Sequence, residues 1–115
     1  MKILIFDLAN ENAILAKLRK NFPSIGFKKQ KISDDIEEEG RDIVLIDTVK
    51  GLQTVTLIDD PNDISPGKSE IVMTLRILLK LGLLDSVKII GVPSDYDQEV
   101  TVEEINSIIT SLLVK

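Results

Sequence analysis

Four aliphatic residues, Ile43-Val44-Leu45-Ile46, stand unbroken between Asp42 and Asp47. A strand with one face in water alternates apolar and polar residues. A strand without alternation must be covered on both faces, which is the signature of a buried parallel strand. Residues 42–47 therefore read as the central strand of a layered α/β sheet. Two further runs carry the same pattern: residues 3–8, Ile-Leu-Ile-Phe-Asp-Leu, and residues 87–92, Val-Lys-Ile-Ile-Gly-Val, the latter closed by Pro93.

Between these runs the period changes to that of a helix. Asn10 offers an N-cap, and Ala13, Ile14, Leu15, Leu18 and Phe22 follow at helical spacing. Lys17, Arg19 and Lys20 sit in the last turns, where cations suit the helix dipole, and Pro23 and Gly26 end the element. Residues 26–32 alternate poorly and are rich in lysine, which predicts an edge strand. Residues 33–40 begin with a capping Ser33 and end with Gly40, so they read as a short helix or solvated acidic turn.

Residues 54–58 form another strand. The short connection from 47 to 53 predicts a hairpin with the central strand, hence one antiparallel strand. Residues 59–63, Asp-Asp-Pro-Asn-Asp, make a loop. Residues 70–81 form a helix whose apolar residues cover most of its circumference. It is either deeply buried or shared with another chain, and Gly82 closes it. Thr101-Val102-Glu103-Glu104 reads as a capping box, followed by Ile105, Ile108, Ile109, Leu112 and Leu113 as the stripe of a helix laid on the sheet. The order β-α-β-(short α)-β-β-α-β-α predicts one α/β domain over residues 1–115, a three-layer αβα sandwich around a mostly parallel five-stranded sheet.

Composition removes several chemistries. The 115 residues contain no Cys and no His, so thiol nucleophiles, zinc-thiolate sites, imidazole ligands and Ser-His-Asp triads are excluded. A net charge of −5 and 3% aromatics argue against a nucleic-acid partner. No apolar run approaches the roughly 20 residues of a membrane helix. The start, Met1-Lys2-Ile3-Leu4-Ile5-Phe6-Asp7, is too soon charged for a signal peptide, so the expected location is the cytoplasm.

Ligands of open α/β sheets bind outside the carboxyl ends of the strands. Three groups reach that rim: Asp7, Asn10 and Glu11 after the first strand; Asp47 and Thr48 after the central one; Ser94, Asp95 and Asp97 after the last. Such acids suit a hard cation, but Asp95 and Asp97 read better as turn formers or caps, whereas Asp47 is balanced between the two because it directly ends the most buried strand. A phosphoacceptor receiver domain also places acids after its first and third strands. It requires an activating Lys after the last strand, where Gly91-Val92-Pro93-Ser94 stands instead. A phosphate-binding glycine loop is absent, because residues 7–12 contain no Gly.

The order of motifs resembles the hydrogenase maturation proteases, the hydrogenase-specific C-terminal endopeptidases. Asp42-Ile43-Val44-Leu45-Ile46-Asp47-Thr48-Val49 is similar to the family's buried strand ending in Asp, a small residue and Val. Gln53-Thr54-Val55-Thr56-Leu57 is like the next strand. Ile64-Ser65-Pro66-Gly67, the helix ending Leu78-Leu79-Lys80-Leu81-Gly82, and Val87-Lys88-Ile89-Ile90-Gly91-Val92-Pro93 resemble the family's helix and final strand. Val100-Thr101-Val102-Glu103-Glu104 is similar to its capped last helix. The likeness covers roughly residues 42–115 with the first strand and helix, and rests on order and spacing.

The resemblance implies a three-layer fold and an activity that trims a C-terminal tail from the nickel-loaded precursor of a hydrogenase large subunit, the implied partner. The nickel belongs to that substrate and is recognised by an acid after the first strand, the Asp after the central strand and a His before the long helix. Asp47 matches the Asp, and the His position falls on Gly67. Asp7-Leu8-Ala9-Asn10 resembles the family's Gly-x-Gly-Asn, but the acidic glycine segment that follows is missing, which leaves Glu11 as the nearby carboxylate. The family's glycine-threonine segment is not visible between residues 33 and 41. Asp47 and Glu11 are thus the candidate metal-contacting residues, no catalytic residue is assigned, and the expectation is a catalytically impaired relative. The alternative expectation is a non-enzymatic interaction module or homo-oligomer that uses helix 70–81.

Overall fold

The structure, a computed structural model, describes residues 1–6, 8, 11–31, 34–95 and 97–114. Its strands are β1 (Lys2–Ile5), β2 (Gly26–Lys29), β3 (Asp42–Thr48), β4 (Thr56–Ile58) and β5 (Ser86–Val92), and its α-helices are α1 (Glu11–Asn21), α2 (Val72–Lys80) and α3 (Gln98–Leu113). Short 3-10 helices occupy Ile36–Glu39, Pro61–Asp63 and Pro66–Lys68. The sheet runs β2-β1-β3-β5-β4. All pairings are parallel except β4 with β5.

The central position of β3 follows from its composition. Its apolar residues serve two cores at once. Ile43 and Leu45 join the cluster that includes Leu4, Phe6, Ile71, Val72, Leu75 and Ile89. Ile46 joins the cluster of Ile3, Ile5, Ile14, Leu18, Ile90, Ile105 and Ile109. Hence α1 and α3 cover one face of the sheet and α2 the other, giving three layers. Each fully buried side chain of this kind contributes about 1.5–3 kcal/mol of transfer free energy.

The expected hairpin between the central strand and residues 54–58 does not form. β5 lies between them and pairs with β3 along seven residues, from Asp42↔Ser86 to Thr48↔Val92. β4 is antiparallel as expected, but its partner is β5, through Thr56↔Gly91, Leu57↔Ile90 and Ile58↔Ile89. The short connection favoured a local pairing. Burial overrides it: β5 has apolar residues on both faces and gains more from the interior of the sheet than the three half-buried residues of β4 would.

The last helix also begins earlier than the capping-box reading. Asp97 is its N-cap, accepting from the backbone N–H of Glu99 at 3.0 Å and of Val100 at 3.1 Å. Thr101 lies inside the first turn and is buried. Glu104 does not reach back to the helix start; its carboxylate accepts from the Val55 N–H at 3.1 Å. The apolar stripe is otherwise as expected, with Ile105, Ile109 and Leu112 buried and Leu113 exposed.

Residues 26–29 form an outer strand, as their lysines indicated. Glu39 ties that edge down: it accepts from Lys2 at 2.6 Å, from Gln30 Nε2 at 2.9 Å and from Lys28. The hydrogen bonds from Lys2 and Lys28 hold its carboxyl down to about 2, so it is ionised at every pH near neutrality. The capping roles expected of Asn10 and Ser33 fall outside the described residues.

Helix 70–81 shortens to α2 and divides into two faces. Val72, Leu75 and Leu78 are buried, whereas Met73, Ile77 and Leu81 are 45%, 52% and 66% exposed. Gly82 closes the helix at φ +76°, a left-handed value that glycine adopts without strain. Among the described residues no helix is long and apolar enough to cross a membrane.

Candidate functional site

The chain leaves the sheet in two directions. β1 connects through α1 outward to β2, and β3 leads across to β4, from which α2 returns the chain to β5. The two helices lie on opposite faces, so the connections diverge above the carboxyl ends of β1 and β3. That divergence is the switch point at which α/β sheets form ligand crevices. Asp47 stands there, one residue beyond Ile46, whose carbonyl accepts from the Phe6 N–H at 2.9 Å. Asp7, the corresponding acid of β1, lies outside the described residues.

Asp47 is 1% exposed. Its Oδ2 accepts from the Ser69 hydroxyl at 2.6 Å. Ser69 Oγ in turn accepts from the Ile71 N–H at 3.3 Å, at the entrance to α2. One buried hydroxyl thus links the end of the central strand to the start of the helix above it. A charged or polar group buried at this depth is stable only with such partners. Across the sheet Asp47 is level with Gly91 of β5. A side chain at 91 would run into Val49, Leu52 and Ile58, so the bare glycine lets the strand-crossing segment close over the rim.

Beside this pair lies an open cleft of about 160 Å³, lined by Thr48, Lys50 and residues 66–70. Its two walls are joined where the Lys50 N–H donates to the Lys68 carbonyl at 2.9 Å. Gly67, the position matching the family's His, lines the same cleft. No atom lies within 4 Å of a Cβ built there.

The other candidate metal-contacting residue, Glu11, is engaged elsewhere. It opens α1 on the opposite face from Ser69 and sits 3.6 Å from the Lys29 ammonium of the edge strand. Among the described residues, no group of three or more His, Cys, Asp and Glu comes together to hold a metal ion. Ser94 and Asp95 are exposed beyond β5, and Asp97 is spent as a helix cap. Ser69 was missed by sequence reasoning. The available signal was its place just before the apolar run of α2, where Ser is a capping residue.

Comparison with protein-family models, with curated proteins and with solved structures finds no match to this chain.

Proposed function

We propose that this chain is a divergent relative of the hydrogenase maturation proteases that meets a metal-loaded large-subunit-type precursor but has lost the means to cut its tail. The observation that carries this reading is the convergence, on one cleft at the switch point, of Asp47's hydrogen-bonded segment and Gly67, the two positions the resemblance assigns to substrate nickel. The three-layer, mostly parallel five-stranded sheet with one antiparallel strand agrees with it. The impairment follows from ligand chemistry. Divalent nickel favours imidazole with carboxylate. Here position 67 has no side chain, the chain has no His at all, and one Asp47 oxygen is taken by Ser69.

The test mixes the protein with a nickel-loaded hydrogenase large-subunit precursor, following association by native electrophoresis and the tail by mass spectrometry. The expected result is association with the tail left intact. Tail removal overturns the impairment, and absence of association overturns the relationship to this partner. Gly67→His enters open space and is expected to raise Ni²⁺ affinity at least about tenfold, equivalent to about 1.4 kcal/mol.

A second reading is favoured by the outward face of α2. Met73, Ile77 and Leu81 recur at four-residue spacing and are all exposed, with exposed Leu83 just beyond the helix. On this reading the face meets the same face of a second copy across a two-fold axis, without family chemistry. Light scattering is then expected to give a dimer that Ile77→Glu converts to monomer; a monomeric wild-type protein rejects it.

A further inference from the structure

We propose that the cleft beside Asp47 seats a carboxylate group, specifically the free carboxyl terminus of a polypeptide, held between Lys50 and Lys68. The inference deepens the reading above and rests on it for the choice of a polypeptide; the carboxylate chemistry comes from the cleft itself.

Three observations carry it. First, the fold forces the two lysines together. The Lys50 N–H donates to the Lys68 carbonyl at 2.9 Å, so both side chains rise from one backbone junction and line one cleft. The Lys68 ammonium folds back over the turn after Lys50, 3.8 Å from the point where a Cβ on Gly51 would stand. Second, both ammonium groups lack a counter-ion. Lys2 and Lys28 pair with Glu39, Lys29 with Glu11 and Arg41 with Asp85, but neither Lys50 nor Lys68 is ion-paired among the described residues. Both residues are exposed, so their ammonium groups are open to an incoming anion.

Third, the cleft selects for low charge. Glu70 lines the same rim, so two lysines against one glutamate leave a net charge of +1. That suits a single carboxylate better than a dianionic phosphate or a nucleic-acid backbone. An ammonium donates to carboxylate oxygens through charge-assisted hydrogen bonds, each about twice as strong as a neutral one. An amidated terminus lacks the charge and forfeits that attraction. Seated here, a chain end would lie next to Asp47 and Gly67, the region in which the related enzymes handle a C-terminal tail.

The test titrates the isotopically labelled full-length protein with N-acetyl-trialanine bearing a free carboxyl terminus, with the same peptide amidated, and with acetate, following backbone amide signals. The free-acid peptide is expected to shift the amides of Lys50, Gly51 and Lys68, and the amidated peptide to leave them in place. Lys50→Ala with Lys68→Ala is expected to weaken the free-acid interaction at least tenfold while the remaining spectrum stays native. Equal shifts from the amidated peptide, no shifts at millimolar peptide, or unchanged affinity in the double variant each overturn the proposal. Acetate binding as tightly as the peptide overturns the assignment to a polypeptide. Carboxylate binding without association with the metal-loaded precursor defeats the family reading and leaves the cleft intact. Association that survives loss of both lysines does the reverse.

Discussion

Gly91→Val is expected to lower the unfolding free energy by about 2–3 kcal/mol, read as a lower denaturant midpoint with an unchanged slope. The cause is the crowding at the centre of the rim. A Cβ at position 91 lies 2.8 Å from Leu52 Cδ1, 3.2 Å from Ile58 Cδ1 and 3.3 Å from Val49 Cγ2. Those three side chains come from the segment that leaves β3 and returns as β4. Leu52 is half-buried and its tip can swing away, so Gly91→Ala is expected to cost less than half as much. Valine adds two further methyl groups to a place already closed from three directions. The segment must then lift off β5, and Thr56, the β4 residue paired with Gly91, loses its register. A valine variant as stable as wild type would mean that the crossing segment is not seated on the sheet as described.

Ser69→Ala carries the next largest expected loss, about 2 kcal/mol, measured in the same way. It removes a hydroxyl and leaves a carboxyl oxygen of Asp47 without this donor in a place that is 1% exposed. The Ile71 N–H loses its acceptor at the same time. Ser65→Ala serves as the control. Ser65 precedes a 3-10 helix but makes no side-chain capping bond and is exposed, so its loss is expected to stay within about 0.5 kcal/mol. Equal effects at 65 and 69 would remove the buried link between strand and helix.

The sheet was readable because its strands are chemically distinct. Ile43-Val44-Leu45-Ile46 has no polar residue to turn toward water, which put it in the interior of the sheet, where it lies between β1 and β5. The lysines at 28 and 29 likewise identified an outer strand. The neighbour of β4 was not readable, because strand order depends on which pairing buries more surface across forty residues of chain. Local spacing between 47 and 53 contains no such information. Thr101 misled for a related reason. Its capping pattern is sound as a local signal, but Asp97 makes the same bonds one turn earlier, and the longer helix buries Thr101 and Val102 as well.

At the site, sequence alone located Asp47 at a strand end and Gly67 ahead of a helix; Gly67 lines the cleft, and Asp47 is tied to it through Ser69, which lines the cleft as well. It gave no means of seeing Lys50 and Lys68 as neighbours, since a single backbone bond between distant loops joins them. Glu11 and Asp47 were grouped because both follow strands. Their separation onto different faces comes from the opposite paths of α1 and α2, a property of the whole topology.

The insertion of β5 between β3 and β4 has a temporal consequence. On a chain emerging from the ribosome, β4 is made some thirty residues before β5, the strand it pairs with. The carboxylate that receives the Val55 N–H, Glu104, arrives later still. The first half of the chain can assemble β2, β1 and β3, but Val49 and residues 55–58 must wait for the later strand and helix that take up their backbone groups. The C-terminal quarter completes the middle of this protein, and a nascent chain halted before residue 86 exposes one unfinished border of β3.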